Sequence, residues 1–180
     1  NIASNFADVD DSMTFTITGA PSTITATSAG VISGTPVNAN VGAHSIVVTA
    51  TDAGGSNTVS DTYILTITNV NDAPTVASAI ADASTAEDAA YSLDASGTCT
   101  DVDASTTLSY TISGAPSTIT ATTAGVISGT PTNANVGAHT ITVTCSDGAL
   151  TASDQYVLTV TNVNDAPTVA NAIADASTAE

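Results

Sequence analysis

The feature that most constrains this chain is an internal repeat. Residues 19–46 read GAPSTITATSAGVISGTPVNANVGAHSI and return at 114–141 with three substitutions. Residues 69–87 read NVNDAPTVASAIADASTAE and return at 162–180 with one substitution. Self-similarity of this kind is typical of proteins built from tandem structural units, so we interpret the chain as a window on an extended repeat array.

The spacing of the copies divides the chain. Corresponding residues are 93 apart at the ends of the unit and 95 apart in its middle, which requires two short length differences. Both fall where loops are expected. We therefore predict a repeat that lacks its first strand or strands (1–72), a complete repeat (73–165), and the first strand of a third repeat (166–180).

Apolar and polar residues alternate within the unit. Ile141, Val143 and Cys145 are separated by threonines, and the segments around Leu158 and Tyr110 follow the same period of two. This period indicates strands rather than helices, and Thr, Val and Ile favour strands. Turn sequences rich in Gly, Pro and Asn separate them. The pattern predicts an all-β fold of tandem Ig-like antiparallel β-sandwiches with Greek key topology and about seven strands each.

Composition excludes several functions. The chain contains no Lys or Arg and seventeen acidic residues, giving a formal charge of −17. Nucleic acids and anionic membranes both need basic residues, so neither is a predicted partner. Continuous apolar stretches are too short to cross a membrane, and no signal peptide opens this segment, so we predict no membrane insertion here.

The sequence also predicts that the chain is not an enzyme. It has no Gly-x-Ser-x-Gly motif, and no tryptophan to line a sugar-binding cleft. Its two histidines, His44 and His139, occupy the same position in successive repeats. A position that repeats in this way is typical of a structural role, and we expect each histidine to form a hydrogen bond at the start of a strand.

The order of short motifs is more specific than any one of them. NDAP is followed by TAED, DVD, AGVISGTP, then VTATD or VTCSD, and then NDAP again. This order resembles cadherin-like repeats, most closely the dystroglycan-type cadherin-like and related Ig-like repeats of large bacterial surface proteins and adhesins. The resemblance covers nearly the whole chain. It implies tandem cadherin-like sandwiches at the cell surface, with a role in cell adhesion.

The resemblance also implies calcium where one repeat meets the next. Asn71 would supply its side chain and Ala73 its carbonyl, while Asp101, Asp103 and Asp147 would supply carboxylates. The linker residue Asp72 would face the preceding repeat. Incomplete sets of the same ligands occur elsewhere in the chain, at Asp8, Asp10, Asp52, Glu87, Asn164 and Asp165.

The chemistry of these residues agrees with calcium. Calcium binds six to eight hard oxygens from carboxylates and carbonyls, and a chain without basic residues has no internal counter-charge for its acids. However, the acidic motif that cadherins carry after the GVIS strand is replaced by GTPVNANVG. We therefore expect about one calcium per junction. The alternative is that these aspartates only cap loops and keep the surface soluble.

The two cysteines occupy positions that change together between repeats. Cys99 corresponds to Phe6 in the first repeat, and Cys145 corresponds to Ala50. Both positions fall on the inward phase of their strands, and a paired exchange of this kind suggests that the side chains touch. We predict a Cys99–Cys145 disulfide, which implies an oxidising compartment. Two buried free thiols are the alternative.

These features together predict a structural role. We expect a secreted, cell-surface segment of a stalk or filament, stiffened by calcium at the linkers, whose partners are neighbouring repeats of the same array. One alternative is an adhesive module that binds a glycan or a partner domain. Another is a filament subunit in which residues 166–180 of one chain complete the first repeat of an identical chain by strand exchange.

Overall fold

The computed structural model describes residues 1–103 and 106–180, which form two compact units. Unit 1 comprises Asn1–Asp72 together with Val102 and Asp103, and unit 2 comprises Ala73–Asp101 and 106–180. None of the helical segments in the described part of the chain is long and apolar enough to cross a membrane.

The described residues of unit 1 form two sheets. Its strands are β1 (Met13–Thr18), β2 (Ile24–Ala26), β3 (Ile32–Gly34), β4 (Gly42–Asp52) and β5 (Thr58–Ile67). The order in the larger sheet is β1-β4-β5, and β2 pairs with β3; all of these pairs are antiparallel. Short 3₁₀ turns occupy Ala3–Asn5 and Asn38–Asn40.

Unit 2 contains the same elements and more. Its strands are β6 (Thr75–Val76), β7 (Ala83–Ala86), β8 (Tyr91–Asp94), β9 (Cys99–Thr100), β10 (Ser109–Ser113), β11 (Ile119–Ala121), β12 (Val126–Gly129), β13 (Gly137–Ser146) and β14 (Thr151–Thr161), with a 3₁₀ turn at Asn133–Asn135. One sheet has the order β10-β13-β14-β7 and faces a second of order β11-β12-β8. The short strands β6 and β9 pair with each other.

The predicted all-β sandwich is confirmed, with two differences in detail. The described residues of unit 2 form nine strands rather than about seven, because β6 and β9 contain only two residues each and are too short to show an alternation in the sequence. In addition, β7 runs parallel to β14, with Leu158 opposite Ala83 and Val160 opposite Thr85. The sheet is therefore mixed rather than purely antiparallel.

The core of unit 2 lies between its two sheets. Alternate residues of the central strands point inward, so that Ile141 and Leu158 are completely buried. The hydroxyl of Tyr91 donates a hydrogen bond to that of Tyr156 at 3.2 Å. Burial, with a smaller contribution from this bond, raises the pKa of Tyr156. The remaining members of the core are Ala95, Cys99, Tyr110, Ile119, Ile127, Val143, Cys145 and Val160.

Unit 1 has a smaller core. Phe15, Val48 and Ala50 are buried together, and Phe6 packs against them with its ring centre 5.6 Å from that of Phe15. Ile46 is also completely buried.

The predicted disulfide between Cys99 and Cys145 is confirmed. It links β9 to the central strand β13, and both cysteines belong to the core of unit 2. In unit 1 the corresponding Phe6 and Ala50 belong to one apolar cluster. The two repeats therefore fill the same inward positions, one with an aromatic ring and a small residue, the other with a covalent bond.

Two aspartates fasten β7 and the residues before it to β14, the last strand of unit 2. The carboxylate of Asp154 accepts the backbone N–H of Ile80 at 2.6 Å, and that of Asp82 accepts the N–H of Val157 at 2.7 Å. Hydrogen bonds to ionised carboxylates are stronger than those between neutral groups. They hold β7 and the residues before it against the edge of the sheet.

Each histidine lies at the start of a central strand. The ring Nε2 of His44 is 2.7 Å from the carbonyl oxygen of Asn40, and His139 is placed identically against Asn135. The expected structural hydrogen bond is therefore present in both repeats. It ties the 3₁₀ turn to the strand that follows it.

Residues 166–180 have no regular secondary structure, and all of them are exposed. A single strand needs a neighbour to satisfy its backbone groups. Their assignment as the first strand of a third repeat stays a prediction.

Candidate metal centre

Two of the predicted ligands meet around one asparagine in unit 1. The Asn38 amide nitrogen donates to Oδ2 of Asp72 at 2.8 Å and lies 3.2 Å from Oδ1 of Asp103. The backbone N–H of Asp72 donates to the other oxygen of Asp103 at 2.8 Å. Asp103 is buried, with 7% of its surface exposed. The two carboxylates thus have the neutral Asn38 amide as a common donor.

The 3₁₀ turn that carries Asn38 is fixed by its own last residue. Oδ1 of Asn40 accepts the N–H of Val37 at 3.0 Å and the hydroxyl of Thr23 at 2.8 Å. In unit 2 the corresponding turn is fixed by Asn135 in the same way. The sequence therefore builds a rigid turn that presents an amide at the same place in each repeat.

The sequence did not identify Asn38 or its counterpart as site residues. In unit 2 the Asn133 amide donates to Oδ2 of Asp165 at 3.2 Å, matching the contact between Asn38 and Asp72. Asparagine occupies this position in both repeats, although the residue immediately before it is valine in unit 1 and threonine in unit 2. These asparagines lie in the segment where cadherins carry an acidic motif. That position was the signal from which they could have been predicted as site residues.

Glu87 is the most buried predicted ligand. Its surface is 2% exposed, and Oε1 accepts the backbone N–H of Val163 at 2.7 Å. Its second oxygen, Oε2, is also buried but has no hydrogen-bond donor among the described residues. A buried carboxylate oxygen without a donor is costly unless a cation lies beside it. The environment of this oxygen therefore fits a cation.

Asp101 and Asp147 lie at one end of unit 2. Each follows a cysteine of the disulfide by two residues, so the bond holds the two segments together. Oδ1 of Asp147 accepts the N–H groups of Ala149 and Leu150, both at 2.6 Å. Asp147 thus organises the turn between β13 and β14, which is the loop-capping role considered as the alternative to calcium.

The matching residues of unit 1, Asp8 and Asp52, line one cavity of about 140 Å³. Hydrogen bonds from Asp10 lower the pKa of Asp8, and a hydrogen bond from the Asn57 amide lowers the pKa of Asp52. Both acids are therefore charged at neutral pH. The structure brings these two members of an incomplete set together, with Asp10 two residues from Asp8.

The remaining predicted ligands are exposed. The Asn71 side chain donates to the carbonyl of Asp72 at 3.2 Å, and Ala73 and Asn164 lie on the surface. Across residues 1–103 and 106–180, His, Cys, Asp and Glu do not assemble in groups of three or more that could hold a metal ion. The structure instead brings carboxylates together with amides. Calcium accepts the oxygens of both groups as ligands, and softer metals do not prefer them.

The fold places this chain in the class of Ig-like and cadherin-like β-sandwiches. It belongs to the family described as "Putative Ig domain", whose model matches residues 1–68 and 73–161. Its structure is similar to Drosophila N-cadherin EC1-4, with a TM-score of 0.58 and 18% identity, covering 86% of this chain and 42% of that one. Human CDH23 EC21-23 gives a TM-score of 0.59 at 15% identity, covering 82% and 58%.

A further similarity involves a larger protein. Endo-fucoidan hydrolase MfFcnA4 from glycoside hydrolase family 107 shares 24% identity, with a TM-score of 0.42, over 86% of this chain. The chain spans only 24% of the length of that hydrolase. None of the curated proteins matches the chain in sequence.

Proposed function

We propose that this chain is a structural segment of an extracellular tandem-repeat protein, a stalk or filament of a surface or adhesin protein, without catalytic activity. Calcium bound at the ends of its repeats stiffens the links between them. Membership of an Ig-domain family and the disulfide support an extracellular setting. The partners of each repeat are its neighbours in the array.

The observation that carries the calcium proposal is the buried, donorless oxygen of Glu87. With no Lys or Arg anywhere in the chain, an internal ion pair with either residue is impossible. Calcium would supply positive charge to hard oxygens there. The carboxylate of Glu87 would hold the ion, with Asn164 and Asp165 as further oxygen donors.

The pair formed by Asp72 and Asp103 supports the same conclusion. The Asn38 amide, which is neutral, donates to both carboxylates and so holds two acidic groups close together. A divalent ion relieves the repulsion between them, and Asn38 would then contribute its amide oxygen. Asn71, the carbonyl of Ala73, Asp101 and Asp147 are the other proposed ligands of this site, at about one calcium per junction. Asp8, Asp10 and Asp52 form an incomplete set.

The stiffening is tested by small-angle scattering in millimolar calcium and then in chelator. We expect the maximum dimension to be larger and better defined with calcium, because bound calcium would restrict the linker. The variant Asp103→Asn should lose this response, and its affinity for calcium should fall at least about tenfold. Asp10→Asn is the matched control, since Asp10 holds the same motif position in unit 1 but is exposed, whereas Asp103 is buried.

Two results would remove the stiffening proposal. One is an unchanged maximum dimension in the wild-type chain on adding chelator. The other is an equal loss of calcium affinity in Asp103→Asn and Asp10→Asn, which would make the binding a general property of surface acids.

The variant Glu87→Gln tests the proposed calcium site at Glu87. Gln keeps an acceptor for the N–H of Val163 but removes the buried charge, so we expect unit 2 to be no less stable than wild type in chelator. At calcium ten times its dissociation constant, wild-type unit 2 should gain about 1.4 kcal/mol and the variant almost nothing. Chemical denaturation with and without calcium measures both. An equal gain in the two proteins contradicts a site at Glu87.

A further inference from the structure

Two strands of unit 2 lie where mechanical tension would enter and leave it. Strand β7 follows the entry of the chain into the unit, and β14 is the last strand before the chain leaves. The two strands are parallel neighbours, with Ala83 opposite Leu158 and Ala86 opposite Thr161. In a tandem array, tension reaches unit 2 through the residues before β7 and passes on through the residues after β14. The contact between these two strands therefore bears that tension.

The parallel direction of β7 and β14 determines how their bonds are strained. The chain enters unit 2 beside the start of β14, because β6 pairs with β9 and the disulfide joins β9 to the C-terminal end of β13. Tension therefore draws β7 and β14 in opposite directions along their common axis. The bonds between the strands are then strained at the same time and resist together. Strands drawn apart from one shared end would instead open one bond after another.

Three carboxylates extend this contact beyond the residues that pair as strands. Asp154 and Asp82 each accept a backbone N–H from the opposite segment just before the paired residues, at 2.6 and 2.7 Å. Just after the paired residues, Glu87 accepts the N–H of Val163 at 2.7 Å. Hydrogen bonds to ionised carboxylates are stronger than those between neutral groups, and the chain has no Lys or Arg to compete for these acids.

We propose that the contact of residues 80–87 with residues 154–163 is a clamp that resists tension along the array through its three carboxylates. The side chains of Ala83–Ala86 are small, so burial of apolar surface contributes little to holding β7 in place. The resistance of β7 to sliding along β14 therefore depends on hydrogen bonds. The clamp rests on the proposed structural role, because a stalk is under tension, but it does not require calcium.

The disulfide limits how far unit 2 extends once the clamp has opened. Cys99 and Cys145 are 46 residues apart in sequence, and tension passes directly from one to the other while the bond is intact. Reduction should lengthen the unfolding step of unit 2 by about 160 Å, because each extended residue spans at most about 3.5 Å. The lengthening identifies the step of unit 2, since these are the only cysteines in the sequence.

Single-molecule force spectroscopy of the full chain, held at its two ends in chelator, tests the clamp. Asp82→Ala removes the bond to Val157, so folded unit 2 should survive at least about tenfold more briefly at constant force. Asp94→Ala is the matched control. Asp94 is also exposed and accepts the N–H of Ser96 at 2.9 Å, but this bond stays within one turn and does not reach β14. Its loss should shorten the survival less than about twofold.

The direction of pulling tests the geometry without removing a carboxylate. Azide-bearing amino acids in place of Ala79 and Ala149, which are both exposed, allow handles to be attached at the neighbouring ends of β7 and β14. Tension between these points opens the same bonds one after another. Folded unit 2 should then survive at least about tenfold more briefly than when the same force is applied through the ends of the chain.

Three results would overturn the clamp. They are equal survival in the two pulling directions, equal effects of Asp82→Ala and Asp94→Ala, and survival of Asp82→Ala within about twofold of wild type. Hydrogen exchange at Val143 without force checks that each variant is folded, and the direction of pulling decides the question if Asp82→Ala is not. Because these measurements are made in chelator, their outcome is independent of the scattering test for calcium.

Discussion

Replacing Cys99 and Cys145 together by alanine is expected to lower the free energy of unfolding of unit 2 by about 4 kcal/mol and to leave unit 1 unchanged. The disulfide joins residues 46 apart in sequence, and a cross-link over a loop of that size removes about this much conformational entropy from the unfolded chain. A small domain is stable by only about 5–15 kcal/mol, so the loss is a large part of the total.

Amide hydrogen exchange measures the two units in one sample. Val143 on β13 and Val48 on β4 occupy corresponding central positions and are both buried. In the variant, the protection of Val143 should fall by about three powers of ten, and that of Val48 should not change. Equal loss at both sites would mean that the units unfold together, and no loss at either would mean that the bond stabilises little.

The first repeat provides a matched variant. The double variant Cys99→Phe, Cys145→Ala gives unit 2 the residues that unit 1 has at these positions, Phe6 and Ala50. At the position of Phe15, unit 2 has Tyr110. The added ring restores apolar burial that the alanine pair lacks, so this variant should recover about 1–2 kcal/mol. If the free energy of unfolding of unit 2 is lower in this variant than in the alanine variant, the surrounding core cannot accommodate the ring.

The strands of the sheet centre could be predicted because their signal is local. In β13 the alternation of Ile141, Val143 and Cys145 with threonines corresponds directly to the inward and outward faces that the structure shows. The disulfide was also predictable, since the exchange of Phe6 and Ala50 for two cysteines marks a contact without any knowledge of topology. In both cases the sequence contains the pattern that packing requires.

The position of β7 could not be predicted from its own sequence. Its four residues, Ala83–Ala86, are small and show no apolar alternation. The strand is held instead by bonds that join Ile80 to Asp154 and Asp82 to Val157, over separations of 74 and 75 residues. Pairing of this kind is set by partners far along the chain, so a local pattern does not reveal that the strand is parallel.

The candidate site was only partly predictable for the same reason. The resemblance to cadherin-like repeats identified Asp72 and Asp103, and the structure brings these two together. It did not identify Asn38, which contacts them across 34 and 65 residues from within a segment that otherwise indicates only a turn. The calcium assigned to these residues remains our proposal.

Gly114→Ala is expected to destabilise unit 2 by about 3 kcal/mol or more. Gly114 has φ of +79°, a conformation that costs an L-residue roughly 1–2 kcal/mol. A Cβ at this position would lie 2.2 Å from the carbonyl oxygen of Thr140, which belongs to the central strand β13 and cannot move without disturbing its ladder. Hydrogen exchange at Val143 again reports the change, with Val48 as the internal reference.

Gly97→Ala is the matched control, and its effect should have the opposite sign. A Cβ at Gly97 meets nothing within 4 Å, and the backbone is not in the left-handed region. Alanine there mainly restricts the unfolded chain, which should stabilise unit 2 by about 0.4–1 kcal/mol. Gly19 has the same φ of +79° and the same 2.2 Å approach in unit 1, to the carbonyl of Ser45. Gly19→Ala should therefore lower the protection of Val48 and spare Val143, and a uniform effect of all three substitutions would refute the steric explanation of the repeated glycine.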